Sequence, residues 1–225
     1  MNKKKFLTAE ENYFHAVQNH KKNNFEFAEN FYKKALKINS NHFESIYNLG
    51  TLLAQTKKFD LAKSLFEKAI QIQPNDATAH YNLGHILNEL GQHQKAISSY
   101  EKAIQIQPDN AAAHNNLGAL LERLSKNQKA KICYEKAIQI QPNYATAHNN
   151  LGNVLTELGQ HQKAISSYEK AIQIQPNYAM AHYNLGYVLN ELRQYQKAIS
   201  SYEKAIQIQP NYANSHNNIG NVLTE

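Results

Sequence analysis

Residues 78–90, TAHYNLGHILNEL, place Ala79, Leu83, Gly84, Ile86, Leu87 and Leu90 at spacings of three and four. That is the period of one apolar face of an α-helix. Gly91 follows as a stop signal. Residues 94–107, QKAISSYEKAIQIQ, put Ala96, Ile97, Tyr100, Ala103, Ile104 and Ile106 on a second, wide apolar face. Pro108 ends it, because proline lacks the N–H and restricts the residue before it. No segment alternates apolar and polar with period two, so no strand is expected.

This two-helix pattern returns along the chain. Pro74, Pro108, Pro142, Pro176 and Pro210 are spaced 34 residues apart, and an internal period of that length marks a repeat architecture. The units run 43–76, 77–110, 111–144, 145–178 and 179–212. A divergent unit at 9–42 precedes them, with Ser40 in the proline position; residues 1–8 form a basic tail, and 213–225 carry a first helix only. Gly50, Gly84, Gly118, Gly152, Gly186 and Gly220 recur inside the first helix. A glycine there costs about 1 kcal/mol against alanine, so its return in every copy predicts a close helix–helix approach. In the second helix a ring (Phe66, Tyr100, Tyr134, Tyr168, Tyr202) stands between two alanines, the alternation of large and small that lets neighbouring helices interdigitate.

The Leu–Gly pair, the Ala–ring–Ala pattern and the closing proline resemble tetratricopeptide repeats. The resemblance covers 43–225 throughout and 9–42 more loosely, through Ala16, Ala28, Tyr32 and Ala35. It implies an all-α, right-handed superhelical solenoid, with first helices lining a concave face and second helices a convex one. The family often has Trp early in the first helix; this chain has none, and His80, His114, His148, His182 and His216 stand there, with Ile46 in the first regular unit.

Charge changes the picture little. The formal net charge of +6 is concentrated in residues 1–42, which hold eight Lys against four acidic residues, leaving the repeats nearly neutral. A nucleic-acid groove would need a basic stripe, and the sequence shows none, so no nucleic acid is expected as a partner. No apolar run approaches the roughly 20 residues that span a bilayer, and no membrane contact is expected. With the single Cys133, no disulfide within the chain is possible, which fits the reducing cytoplasm.

Catalytic and cofactor chemistry find no foothold in the sequence. The histidines stand one per repeat, too far apart for a tetrahedral metal site. Cys133 has no adjacent base, and the glycines form no phosphate loop. The expectation is a non-enzymatic chain without metal or cofactor.

A column of asparagines is left over: Asn48, Asn82, Asn116, Asn150, Asn184 and Asn218, each just before Leu or Ile. Helical geometry turns it away from the packed Leu and Gly, toward the groove. A side-chain amide both donates and accepts, so the column could hold a peptide backbone whatever its sequence. At about 10 Å between first helices and 3.3 Å per extended residue, one Asn meets about every third peptide residue. Tyr81, Asn115, Asn149 and Tyr183 just before the column, and Asn153 and Tyr187 after Gly, are further candidates. The competing reading has the column hydrogen-bonding neighbouring first helices to each other.

The column also resembles that of the superhelix preceding the catalytic domain of O-linked N-acetylglucosamine transferases, closest at 147–172. That resemblance implies asparagines holding substrate backbone; no glycosyltransferase domain lies in these residues. The expected function is a scaffold binding extended polypeptides, or the recruiting region of a larger enzyme of that kind. The uncovered first helix at 213–225 suggests either a fragment or self-association through that end.

Overall fold

In the computed structural model, described over residues 7–210, twelve helices follow one another and no strand occurs among the described residues. Two compact units make up the chain, one through Pro108 and one from Asp109. The first holds α1 (Ala9–Lys21), α2 (Phe25–Ile38), α3 (Phe43–Gln55), α4 (Phe59–Ile72), α5 (Ala77–Glu89) and α6 (His93–Ile106). The second holds α7 (Ala111–Arg123), α8 (Asn127–Ile140), α9 (Ala145–Glu157), α10 (His161–Ile174), α11 (Ala179–Glu191) and α12 (Tyr195–Ile208). His93 and His161 open second helices. The N-terminal six residues, the partial unit at 213–225 and Asn218 lie outside the described residues.

Within each unit the odd-numbered helix packs on its even partner, and that partner on the next odd helix. Consecutive odd helices also touch: α1 with α3, α3 with α5, α7 with α9, and α9 with α11. Among the described residues, consecutive even helices within a unit do not. First helices therefore line the tighter side of each stack.

The glycine column explains that packing. A Cβ built on Gly84 would lie 2.8 Å from Tyr100 Cδ1, and one on Gly118 2.8 Å from Tyr134 Cε1. At Gly50 the corresponding approach to Phe66 Cε1 is 3.1 Å. In the five repeats that carry this glycine the ring of the second helix thus packs against bare backbone, itself almost wholly buried, between two alanines with no exposed surface. Burying one such side chain contributes about 1.5–3 kcal/mol.

The turn between paired helices needs a residue in the left-handed region. Gly91 and Gly159 supply it at φ +70° and +69°. Asn23, Lys57, Ser125 and Arg193 adopt the same conformation at φ between 56° and 59°, where a side chain costs about 1–2 kcal/mol. First helices begin with side-chain caps where the residue allows it: Asp76 accepts from Ala79 N–H at 2.6 Å, Asn110 from Ala113 at 3.0 Å and His42 from Ser45 at 3.1 Å. Tyr144 and Tyr178 cap nothing.

The histidines in the Trp position clamp the turn before them. His80, His148 and His182 each donate Nε2–H to the carbonyl of Pro74, Pro142 and Pro176, at 3.0 Å. His148 is the one classed as buried, and burial lowers its pKa below the ordinary 6.5, with the Pro142 carbonyl opposing and Lys170 adding to the fall.

Three outcomes follow from this packing. Ser45 is wholly buried with an unpartnered hydroxyl, where the other repeats carry Ala79, Ala113, Ala147 and Ala181. Ser45→Ala should stabilise the chain by about 1 kcal/mol, read as a higher denaturant midpoint; an unchanged or lower midpoint contradicts it. Gly152→Ala, whose Cβ meets Tyr168 most closely, should lower stability by about 1–3 kcal/mol. Gly50→Ala should cost clearly less, because helix propensity offsets its smaller clash; equal losses in thermal melts would exclude the ring-on-glycine account. The lowered His148 pKa means the unfolded chain takes up its proton first. The contribution of this group is complete above pH 6.5 and is lost as pH falls through the lower folded value. Melting temperatures at pH 7.5 and 5 should therefore diverge more in the wild type than in His148→Gln.

Candidate functional site

The first-helix face of each unit carries the asparagine column, and its amides are engaged in one register. Asn82 Nδ2 donates to the Tyr47 hydroxyl at 2.8 Å, and Asn48 Nδ2 to the Tyr13 hydroxyl at 3.4 Å and to the Glu44 carbonyl at 2.8 Å. Asn150 Nδ2 donates to Asn115 Oδ1 at 3.2 Å, and Asn184 Nδ2 to Asn149 Oδ1 at 3.0 Å. The inter-helix partners are 35 positions apart: Asn48, Asn82, Asn150 and Asn184 each reach back one repeat, to the residue just before their own equivalent.

In the second unit the amides form a relay. Asn115 donates to Asn116 Oδ1 at 3.2 Å and Asn149 to Asn150 Oδ1 at 3.4 Å. Asn184 also donates to Asn153 Oδ1 at 2.9 Å, which takes the Tyr168 hydroxyl at 3.0 Å. Asn115 and Asn149 are 5% and 0% exposed, so these two candidates lie beneath the column. Tyr81 and Tyr183 are half-buried with their rings 5.9 Å and 5.7 Å from Tyr100 and Tyr202.

The column itself is half-buried, as is Asn153, and Tyr187 is exposed. The neighbouring Glu191 carboxylate, then burial, raises the Tyr187 pKa. Asn218 lies outside the described residues. With the donors turned to the scaffold, the carbonyl oxygens of Asn48, Asn82 and Asn184 take no hydrogen bond among the described residues. Each can accept an N–H from outside.

A second polar row crosses the same face, one not singled out from the sequence. The second-helix tyrosines reach through to it: Tyr32 to His20 Nδ1 at 3.3 Å, Tyr134 to Glu122 Oε2 at 2.5 Å, and Tyr168 to Thr156 at 3.3 Å. Burial raises the Glu122 pKa, the Tyr134 hydrogen bond opposes this, and Glu157 adds to it. The equivalent pair in the 43–76 repeat is Ala54 with Phe66, and there a cavity of about 240 Å³ opens between α3 and α5. A signal was present: polar residues stand at this position wherever the ring is tyrosine, and alanine where it is phenylalanine.

Among the described residues, no group of three or more His, Cys, Asp or Glu could hold a metal ion. No described helix is long and apolar enough to cross a membrane.

Sequence comparison finds tetratricopeptide repeat models at residues 43–76, 65–98, 109–177 and 143–211 and a TPR repeat model at 84–125. No curated protein matches the sequence. Among solved structures, YrrB, a TPR protein with an unusual peptide-binding site, is 25% identical with a TM-score of 0.69 over 83% of this chain and 96% of its own. MamA is 27% identical with a TM-score of 0.68 over 74% of this chain and 97% of its own. The pilF protein of Pseudomonas aeruginosa shares the fold alone, at 18% identity and a TM-score of 0.80 over 93% and 95% of the two chains. These models tile 43–211 with the helix pairs already described, and the chain belongs to the tetratricopeptide repeat family.

Proposed function

We propose that this chain is a non-catalytic interaction scaffold that binds a polypeptide in extended conformation along its first-helix face. The observation that carries this reading is the asparagine column. Its N–H groups are spent on holding first helices together, and the carbonyl oxygens of Asn48, Asn82 and Asn184 are left to accept. An extended strand presents backbone N–H groups in series, and a rigid row of acceptors fits them without regard to side chains. Each such bond nets about 0.5–1.5 kcal/mol, so affinity comes from several in register. The peptide-binding site named for YrrB supports a similar use of this fold. Exposed Tyr187 and half-buried Asn153 extend the contact surface in the second unit.

The test uses peptides selected from a random twelve-residue library on the full chain. Methylating one backbone nitrogen at a time should weaken binding at a few positions only, by roughly 3–10-fold each, with the two held by Asn48 and Asn82 about three residues apart. Asn82→Ala with Asn184→Ala should abolish that pattern. Because these substitutions also remove inter-repeat bonds, Asn82→Ala combined with Tyr47→Phe, which removes both partners of one bond, serves as the stability control. Tight binding that no backbone methylation disturbs would sink the proposal.

A further inference from the structure

In the repeats whose contact is resolved, a second-helix tyrosine hydroxyl fills the first-helix face by meeting a polar side chain: His20, Glu122 or Thr156. Asn88 with Tyr100 and Asn190 with Tyr202 repeat the same residue types. Only the 43–76 repeat changes both members, to Ala54 and Phe66. Losing the hydroxyl alone would strand a polar partner, and losing the partner alone would strand a buried hydroxyl. Losing both leaves no unmet hydrogen bond and opens apolar space. That space is the 240 Å³ cavity, which Ala54, the buried Phe66 ring and the buried Ile86 line with apolar surface, beside Gln55 and Asn82.

We infer that this cavity is a specificity pocket, receiving one large apolar side chain, aromatic or branched aliphatic, of the extended peptide bound to this face. The inference rests on the peptide-binding reading above. Size favours this occupant: an apolar cavity of about 150 Å³ already accepts a benzene ring. Chemistry favours it too: a phenyl ring, an isoleucine and a methyl group form the apolar part of the surface, Thr51, Gln55 and Asn82 border it as neutral polar groups, and no lining residue is charged except the exposed His85 if protonated. Register agrees, because Asn82 borders the cavity and is also a member of the column. A backbone N–H held at Asn82 places its neighbouring side chain beside the opening. The uniform ladder gives breadth, and this one irregular repeat supplies a preference.

The experiment selects random twelve-residue peptides on the full chain and on Ala54→Thr with Phe66→Tyr, which installs the Thr156–Tyr168 pair in the cavity. Wild-type winners should share one Phe, Leu or Ile. Replacing it by Ala should weaken binding roughly 10–100-fold on the wild type and less than about threefold on the double variant. Ala54→Leu, at a partly exposed position, fills the cavity without replacing a buried residue and should act the same way; circular dichroism checks that both variants fold. Winners with no common apolar residue, or with equal Ala losses on all three proteins, overturn the pocket and leave the groove reading standing. If no peptide is selected on any of them, both fall.

Discussion

The contact on which the other features of each helix pair depend is a ring pressed on a glycine. Tyr100, Tyr134, Tyr168 and Tyr202 lie where a Cβ on the facing glycine would overlap them. The residue flanking that glycine, and the hydroxyl that passes it, are thereby fixed in position. Bare backbone lets the two helices approach, and the ring's own length carries its hydroxyl through to the opposite face. Side chains at the glycine's neighbours then have no freedom to leave that face. Within each unit the column asparagines, two residues before the glycine, lie close enough to the preceding first helix to bond the residue before their own equivalent there.

This makes the asparagine column a structural and a binding element at once. Within each unit its donors tie one first helix to the next, which holds the acceptor oxygens there in place. A buried amide relay such as Asn184–Asn149–Asn150–Asn115 is rigid because every link is satisfied. Preorganised acceptors lose little entropy on binding, so modest individual bonds can sum to useful affinity. Where Tyr13 and Tyr47 replace the buried asparagine, the register is kept with a hydroxyl as the acceptor.

Much of the fold was legible in the sequence, because a 34-residue period repeated with glycine, alanine and proline at fixed offsets leaves one packing solution. The helix ends fell within a residue of expectation. The site was read less fully. Position along the helix put the Asn column on the groove side, yet could not say that its donors are committed across repeats. That depends on which residue of the neighbouring repeat comes within 3 Å, a tertiary distance no periodicity encodes. The burial of Asn115 and Asn149 was equally hidden, since the same position is a half-buried tyrosine in other copies. The role of histidine as a clamp on the preceding proline carbonyl required the turn geometry. The Ala54–Phe66 pair was visible as a joint departure from the repeat, but its meaning emerged only with the cavity.

The central claim is that the asparagine column is fixed to the scaffold by its donors while its acceptors receive the bound chain. Side-chain amide nitrogen-15 spectra of the full protein, recorded with and without a selected peptide, test this directly. The account predicts that the Asn82 and Asn184 side-chain signals shift on binding while their N–H groups keep slow exchange with solvent. Binding that leaves both sets of signals unmoved, or that releases their N–H groups to fast exchange, would contradict it.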